Sequence, residues 1–129
     1  KITFATDATA SQTSANLSNG RDRYHGLSDG MAQGYFAGGQ STAVLSTFDK
    51  ITFATDVTAA LTTTSMYRYA GSSMSNGVIG YALGGGDVGG LSKSGHKVTF
   101  STDVVTALGA SADLSAQRMT IAGFSTVAL

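Results

Sequence analysis

The chain lacks cysteine and tryptophan altogether, has two histidines, and carries charge on only 12% of its 129 residues. Without cysteine there can be neither disulfides nor thiolate metal sites, so a small disulfide-stapled secreted scaffold is excluded. The two histidines, His25 and His96, lie far apart among scattered carboxylates, which gives a metal centre no ligand cluster to build on. No cofactor is expected either. Eight basic residues balance eight acidic ones, so nothing in the net charge draws the chain to nucleic acid or to an anionic membrane. No run approaches the roughly 20 apolar residues that cross a bilayer. The sequence begins at Lys rather than Met and shows no basic-then-apolar leader, so the expectation is a removed leader or an excerpt of a longer chain.

What the sequence does have is repetition. Lys1-Ile-Thr-Phe-Ala-Thr-Asp7 returns as Lys50-Ile-Thr-Phe-Ala-Thr-Asp56 and as Lys97-Val-Thr-Phe-Ser-Thr-Asp103, at spacings of 49 and 47 residues. A fixed period of this length predicts a repeat architecture, here one domain over 1–129 with units 1–49, 50–96 and a partial 97–129. Apolar and polar residues alternate in each heptad, the period of a strand with one buried face. The weakly charged surface, rich in Gly, Ser, Thr and Ala, suits assembly or glycan contact. Stability must then come from stacking one repeat on the next.

Each heptad is followed by a Thr/Ala/Ser stretch, 8–17, 57–66 and 104–114, read as a short outer strand. Arg21, Arg68 and Arg118 then open a third element. Asp29-Gly30 and Asn76-Gly77 close it with dipeptides preferred in two-residue hairpin turns. Beyond them lie Gly34-Tyr-Phe-Ala-Gly-Gly39 and Gly80-Tyr-Ala-Leu-Gly-Gly85, read as fourth strands. Their glycine pairs predict either a close approach of another backbone or a conformation that a Cβ would forbid. The glycine-rich segment 84–90 is expected to be the most mobile.

Four short strands in each repeat of about 45 residues, with no helical periodicity, predict an all-β fold of propeller blades. The succession of Arg, Gly34-Tyr-Phe-Ala-Gly-Gly39 and Phe48-Asp49 resembles a kelch repeat of the galactose-oxidase-like propeller type, as in the kelch-like repeats of phage structural proteins and metagenomic sequences. That resemblance implies a β-propeller of four-stranded blades, about three per chain. It departs from the kelch pattern in having no Trp, and in carrying Gly95-His96 where the first unit has Phe48-Asp49. Galactose oxidase itself holds copper with Tyr, His and a Tyr–Cys crosslink, which a chain without cysteine cannot form.

Three blades, the last expected to stop after a strand at 121–125, are too few to close a ring, since propellers use about four or more. The expectation is a homo-oligomer joined through sheet edges, as a head-to-tail ring or an open filament. The recurring Asp7, Asp56 and Asp103 are read as turn caps whose side chains accept backbone N–H groups. Repetition makes their environments alike, whereas a catalytic pair needs unlike ones, so no catalytic residue is expected. Arg21, Arg68 and Arg118 are read either as glue bonding the carbonyls of a neighbouring blade or, with Tyr24 and Tyr69, as a ligand-binding set. These readings converge on a non-enzymatic structural or interaction module in a virion or extracellular assembly. The alternative is a glycan-binding propeller with several weak sites that act together.

Overall fold

The computed structural model describes residues 2–3, 6, 8–61 and 66–119. The first heptad's Phe4, Ala5 and Asp7, the end of the second outer stretch at 62–65, and the expected last strand at 121–125 lie outside them. The described chain is all-β with only antiparallel pairing. Two short strands, β1 (Ile2–Thr3) and β2 (Ala8–Thr9), form a small hairpin. A four-stranded meander follows, made of β3 (His25–Ser28), β4 (Gln33–Ala37), β5 (Phe48–Thr52) and β6 (Val57–Leu61). The second meander contains β7 (Ser72–Ser75), β8 (Ile79–Leu83), β11 (Gly95–Thr99) and β12 (Val104–Ala107). Between its middle strands, β9 (Gly86–Asp87) and β10 (Gly90–Leu91) fold the glycine-rich segment into a two-stranded hairpin. The first and third outer strands are shorter than the sequence suggested, and 110–112 turns instead into a single 3-10 turn.

The heptad is not a strand throughout. Pairing ends at Thr52 and Thr99, and residues 53–56 and 100–103 turn a corner in which Asp56 and Asp103 adopt φ of +55° and +57°. Aspartate tolerates this left-handed conformation better than most residues with a Cβ. The hairpin turns differ as well. Four residues, 29–32, connect β3 to β4, and Asp29 Oδ1 accepts the N–H groups of Met31, Ala32 and Gln33, each at 2.9 Å. Asn76 Oδ1 does the same for Val78 and Ile79. A side-chain acceptor closing a wider loop thus replaces the two-residue turn, since one carboxylate or amide oxygen satisfies several loop donors at once.

Register fixes which residues share a face. In the first sheet Tyr35 lies opposite both Leu27 and Lys50, and Ala37 opposite both His25 and Phe48, so these six residues form one face. Gly34, Phe36, Asp49 and Ile51 occupy the other. In the second sheet Tyr81 opposes Lys97, and Leu83 opposes Gly95, on the equivalent of the first face. Gly80 and Val98, with Ala82, lie on the opposite face. Apart from Met66, which lies on the connection before β7, the buried core of Leu27, Tyr35, Ala37, Phe48, Ala82, Val98, Phe100 and Val105 therefore draws on the first face of one sheet and the second face of the next. The sheets stack front to back, with β3 against β7. Burying several such side chains at about 1.5–3 kcal/mol each is the main stabilising term.

The glycine pairs meet both expectations. Gly38, Gly39, Gly84 and Gly85 all have positive φ, and a Cβ on Gly85 would lie 2.4 Å from the carbonyl oxygen of Tyr69. Gly85→Ala should therefore cost about 2 kcal/mol or more. Gly109, with φ of −72° and open space around it, should accept alanine with a change within about 1 kcal/mol. Chemical denaturation of the two variants measures the difference, and equal midpoints would contradict this account of the glycine pair.

Candidate functional site

Two devices hold one sheet to the next. The first is the corner at 100–103. Phe100 stacks on Tyr35, with ring centroids 5.2 Å apart and planes inclined by 20°. Beyond it Asp103 Oδ1 accepts the Tyr35 hydroxyl at 2.7 Å, and Oδ2 receives the Lys50 ammonium. Burial, reinforced by this carboxylate, pushes the Tyr35 phenol far above its ordinary pKa, so it remains a donor. The expected role of Asp103 as a cap for its own turn is thus replaced by a bond across the sheet junction. The positive φ at Asp103 aims its carboxylate at the neighbouring sheet, and the turn closes instead through main-chain bonds such as Thr102 N–H to the Thr99 carbonyl.

The second device is made of main chain. Gly39 N–H donates to the Arg68 carbonyl and Gly85 N–H to the Arg118 carbonyl, both at 2.7 Å. Within each sheet, the leading turn is tied to the glycine pair in the same way: Asp22 and Gln40 exchange two backbone bonds, and so do Tyr69 and Gly86. The same joint thus recurs one repeat along. A side chain on either glycine would obstruct it.

The five residues singled out as a ligand-binding set fall on three successive connections. Arg21 is fully enclosed: its Nη1 donates to the carbonyls of Phe36, Gly38 and Thr47, and its Nη2 reaches Asp49 Oδ2 at 2.6 Å. These partners belong to the sheet that Arg21 itself leads into, rather than to a neighbouring one. Arg68 is buried at 8% exposure, and its Nη2 donates to Ser94 Oγ, but Nε and Nη1 find no partner. Arg118 is exposed, with a 3.4 Å bond to Ser115 Oγ. Tyr24 sets its ring edge-on to Phe36, and Tyr69 packs over Gly86. None of the five lines the cavity of about 480 Å³ among Gly26, Gly34, Phe36, Ile51, Phe53 and Met74.

The contrast between Arg21 and Arg68 has a simple origin. Asp49, buried beside Arg21, is replaced one repeat later by His96, whose Nδ1 is also without a partner. Burial lowers the pKa of His96, with the Arg68 charge adding to the effect, so the imidazole is neutral and cannot offset the cation. His25 is lowered for the same first reason, and its Nδ1–H donates to the Ser72 carbonyl across the junction between β3 and β7. Burial also lowers Arg68, while the carboxylates of Asp87 and Asp113 act in the opposite direction. Among the described residues no three His, Asp or Glu side chains come close enough to hold a metal ion, and no helix is long and apolar enough to cross a membrane.

Sequence reasoning noticed the exchange of Phe48-Asp49 for Gly95-His96 but not its electrostatic consequence. It missed the link from Tyr35 and Lys50 to Asp103, whose signal was the recurrence of the heptad Lys and Asp in all three units and of Gly-Tyr, at 34–35 and 80–81, in the first two.

Asp49→Ala should destabilise the fold by about 3–5 kcal/mol, because it leaves the Arg21 charge buried and unpaired. His96→Asp should instead stabilise it by about 1–3 kcal/mol, by returning a carboxylate to Arg68. A higher unfolding midpoint measures that gain; a lower one would contradict the pairing. Both histidines have folded-state pKa values below their ordinary 6.5, so the unfolded chain binds protons first as pH falls. Wild-type stability should hold above about pH 7 and decline below 6.5, by up to ~1.4 kcal/mol per pH unit for each histidine. In His96→Asp that slope should lessen between pH 7 and 5.

Comparison with protein-family models finds no match for this chain, and comparison with curated proteins finds no similar sequence.

Proposed function

We propose that the chain is a non-enzymatic structural and interaction module, built from propeller-type four-stranded blades and working by stacking repeat on repeat in a virion or extracellular assembly. The observation that carries this reading is the front-to-back joint: Tyr35, Lys50 and the glycine turn on one sheet, Phe100, Asp103 and the next arginine turn on the other. Front and back surfaces differ, so the contact is heterologous and can be repeated without limit. Such contacts give rings where the rotation closes and filaments where it does not. The kelch-like order of the repeated motifs favours a ring. Low charge and a hydroxyl-rich surface agree with a partner of the same kind rather than a polyanion.

A glycan-binding role is the second reading, favoured by Tyr24 and Tyr67, which leave about half of their surface exposed for stacking on a sugar ring.

Light scattering on the purified chain should give a discrete particle of two or more copies of 13.1 kDa, two being the count for a ring of about six blades. A stable monomer at high micromolar concentration would overturn the assembly reading. Binding to an oligosaccharide array, lost in Tyr24→Ala or Tyr67→Ala, would transfer the argument to the second reading.

A further inference from the structure

Arg68 sits at the junction between the sheets with most of its hydrogen-bonding capacity unanswered. Its main chain is fixed: its carbonyl accepts the Gly39 N–H at 2.7 Å, and the next residue, Tyr69, exchanges two backbone bonds with Gly86. The residue is 8% exposed, and among the described residues its guanidinium has one partner, the Ser94 hydroxyl, which lies 3.2 Å from that of Ser92. Nε and Nη1 are buried donors without a bond. A guanidinium in that condition is costly, because its cation has left water and gained little in exchange.

The first unit shows what answers the same group. There Arg21 Nη2 donates to Thr47 Oγ1 at 2.7 Å and to Asp49 Oδ2 at 2.6 Å. Ser94 and His96 occupy the positions of Thr47 and Asp49 one repeat along. Both arginines are thus anchored at Nη2 by a hydroxyl of the same position, and beside that anchor one meets a carboxylate and the other an imidazole. His96 Nδ1 is likewise buried without a partner. The nearby carboxylates do not fill the gap. Asp87 and Asp113 favour the charged form of Arg68 through their fields, but Asp87 Oδ1 accepts the Gly89 N–H at 2.7 Å and Asp113 Oδ2 lies 3.6 Å from Lys93 Nζ. His25, the remaining titratable neighbour, holds its Nδ1 proton on the Ser72 carbonyl, and its neutral ring brings no charge.

We infer that Arg68 and His96 form a buried site for a small monovalent anion, chloride. Nε–H and Nη1–H of Arg68, with Nδ1–H of His96, bond the ion, which supplies the negative charge that Asp49 supplies in the first unit. A set made of donors around a cation suits an anion without protons of its own. Water offers lone pairs to the same donors but leaves the charge unpaired. The enclosure of Arg68 favours an ion of a single atom over phosphate or a sugar acid. Bound chloride also selects the His96 tautomer, since a lone pair on Nδ1 would repel it. The site lies within one chain, so it is independent of the assembly reading.

Thermal unfolding of the full chain at constant ionic strength, with sodium gluconate exchanged stepwise for sodium chloride, tests the site. The midpoint should rise and saturate, by about 5 °C once chloride exceeds its Kd tenfold. His96→Asp, which carries its own carboxylate, should show no chloride response, so its advantage over wild type is largest in gluconate and shrinks as chloride is added. His96→Asn, whose amide keeps a donor near the place of Nδ1, should retain the response. The ¹⁵N spectrum of the histidine rings gives a readout that needs no variant: chloride should move His96 Nδ1 toward the range of a protonated ring nitrogen. A wild-type midpoint indifferent to chloride would overturn the site, leaving those donors to water. An equal rise in wild type and His96→Asp would overturn it as a general salt effect, and so would a His96 Nδ1 signal unchanged at the highest chloride concentration.

Discussion

The structure depends on one contact, the seating of the corner at 100–103 on the front of the preceding sheet. A four-stranded meander buries only one side well, and a lone sheet with two half-apolar faces is unstable in water. The corner solves this by combining three kinds of interaction at one place. Phe100 supplies apolar area against Tyr35, and Asp103 satisfies the Tyr35 hydroxyl and neutralises Lys50. Asp103 takes up a positive φ at this corner, and its carboxylate leaves its own sheet. Everything behind this contact, including the burial of Val98 and Val105, follows from the distance and angle it sets.

The arginine turns show how far a repeated device can drift before it fails. Arg21 is a fully satisfied cross-brace, with three carbonyls and a buried carboxylate around one guanidinium. Arg68 stands in the same relation to its sheet but faces His96, and two of its nitrogens go unanswered. The sheet nevertheless keeps its pairing, because its main-chain joint through Gly85 and Arg118 does not use the guanidinium. Side-chain chemistry in this molecule is therefore adjustable around a backbone contact that is not. The glycines carry that constraint, since a Cβ on Gly38 or Gly85 would sit 2.4 Å from a carbonyl oxygen of the facing turn.

This division suits the stacking role proposed above. A catalytic site needs unlike environments for like residues, and repetition works against that. A stacking element needs like environments for like residues, and the paired glycines, all at positive φ, have them.

The sequence by itself determined the all-β class, the repeat, the strand centres and the special backbone at the glycine pairs, because these rest on short-range facts: alternation of side chains and the positive φ that glycine adopts most readily. It placed the corner aspartates but misread the task of Asp103. Nothing local distinguishes a carboxylate that caps its own turn from one that reaches Tyr35, 68 positions away. It also marked Asp49 and His96 as equivalent positions without showing that one answers a buried arginine and the other does not. Only the tertiary structure decided which faces meet, which of three similar arginines is enclosed, and where the apolar cavity lies. Those outcomes depend on contacts between repeats, and a repeated sequence carries the same local signal in every copy whether or not a neighbour is there to meet it.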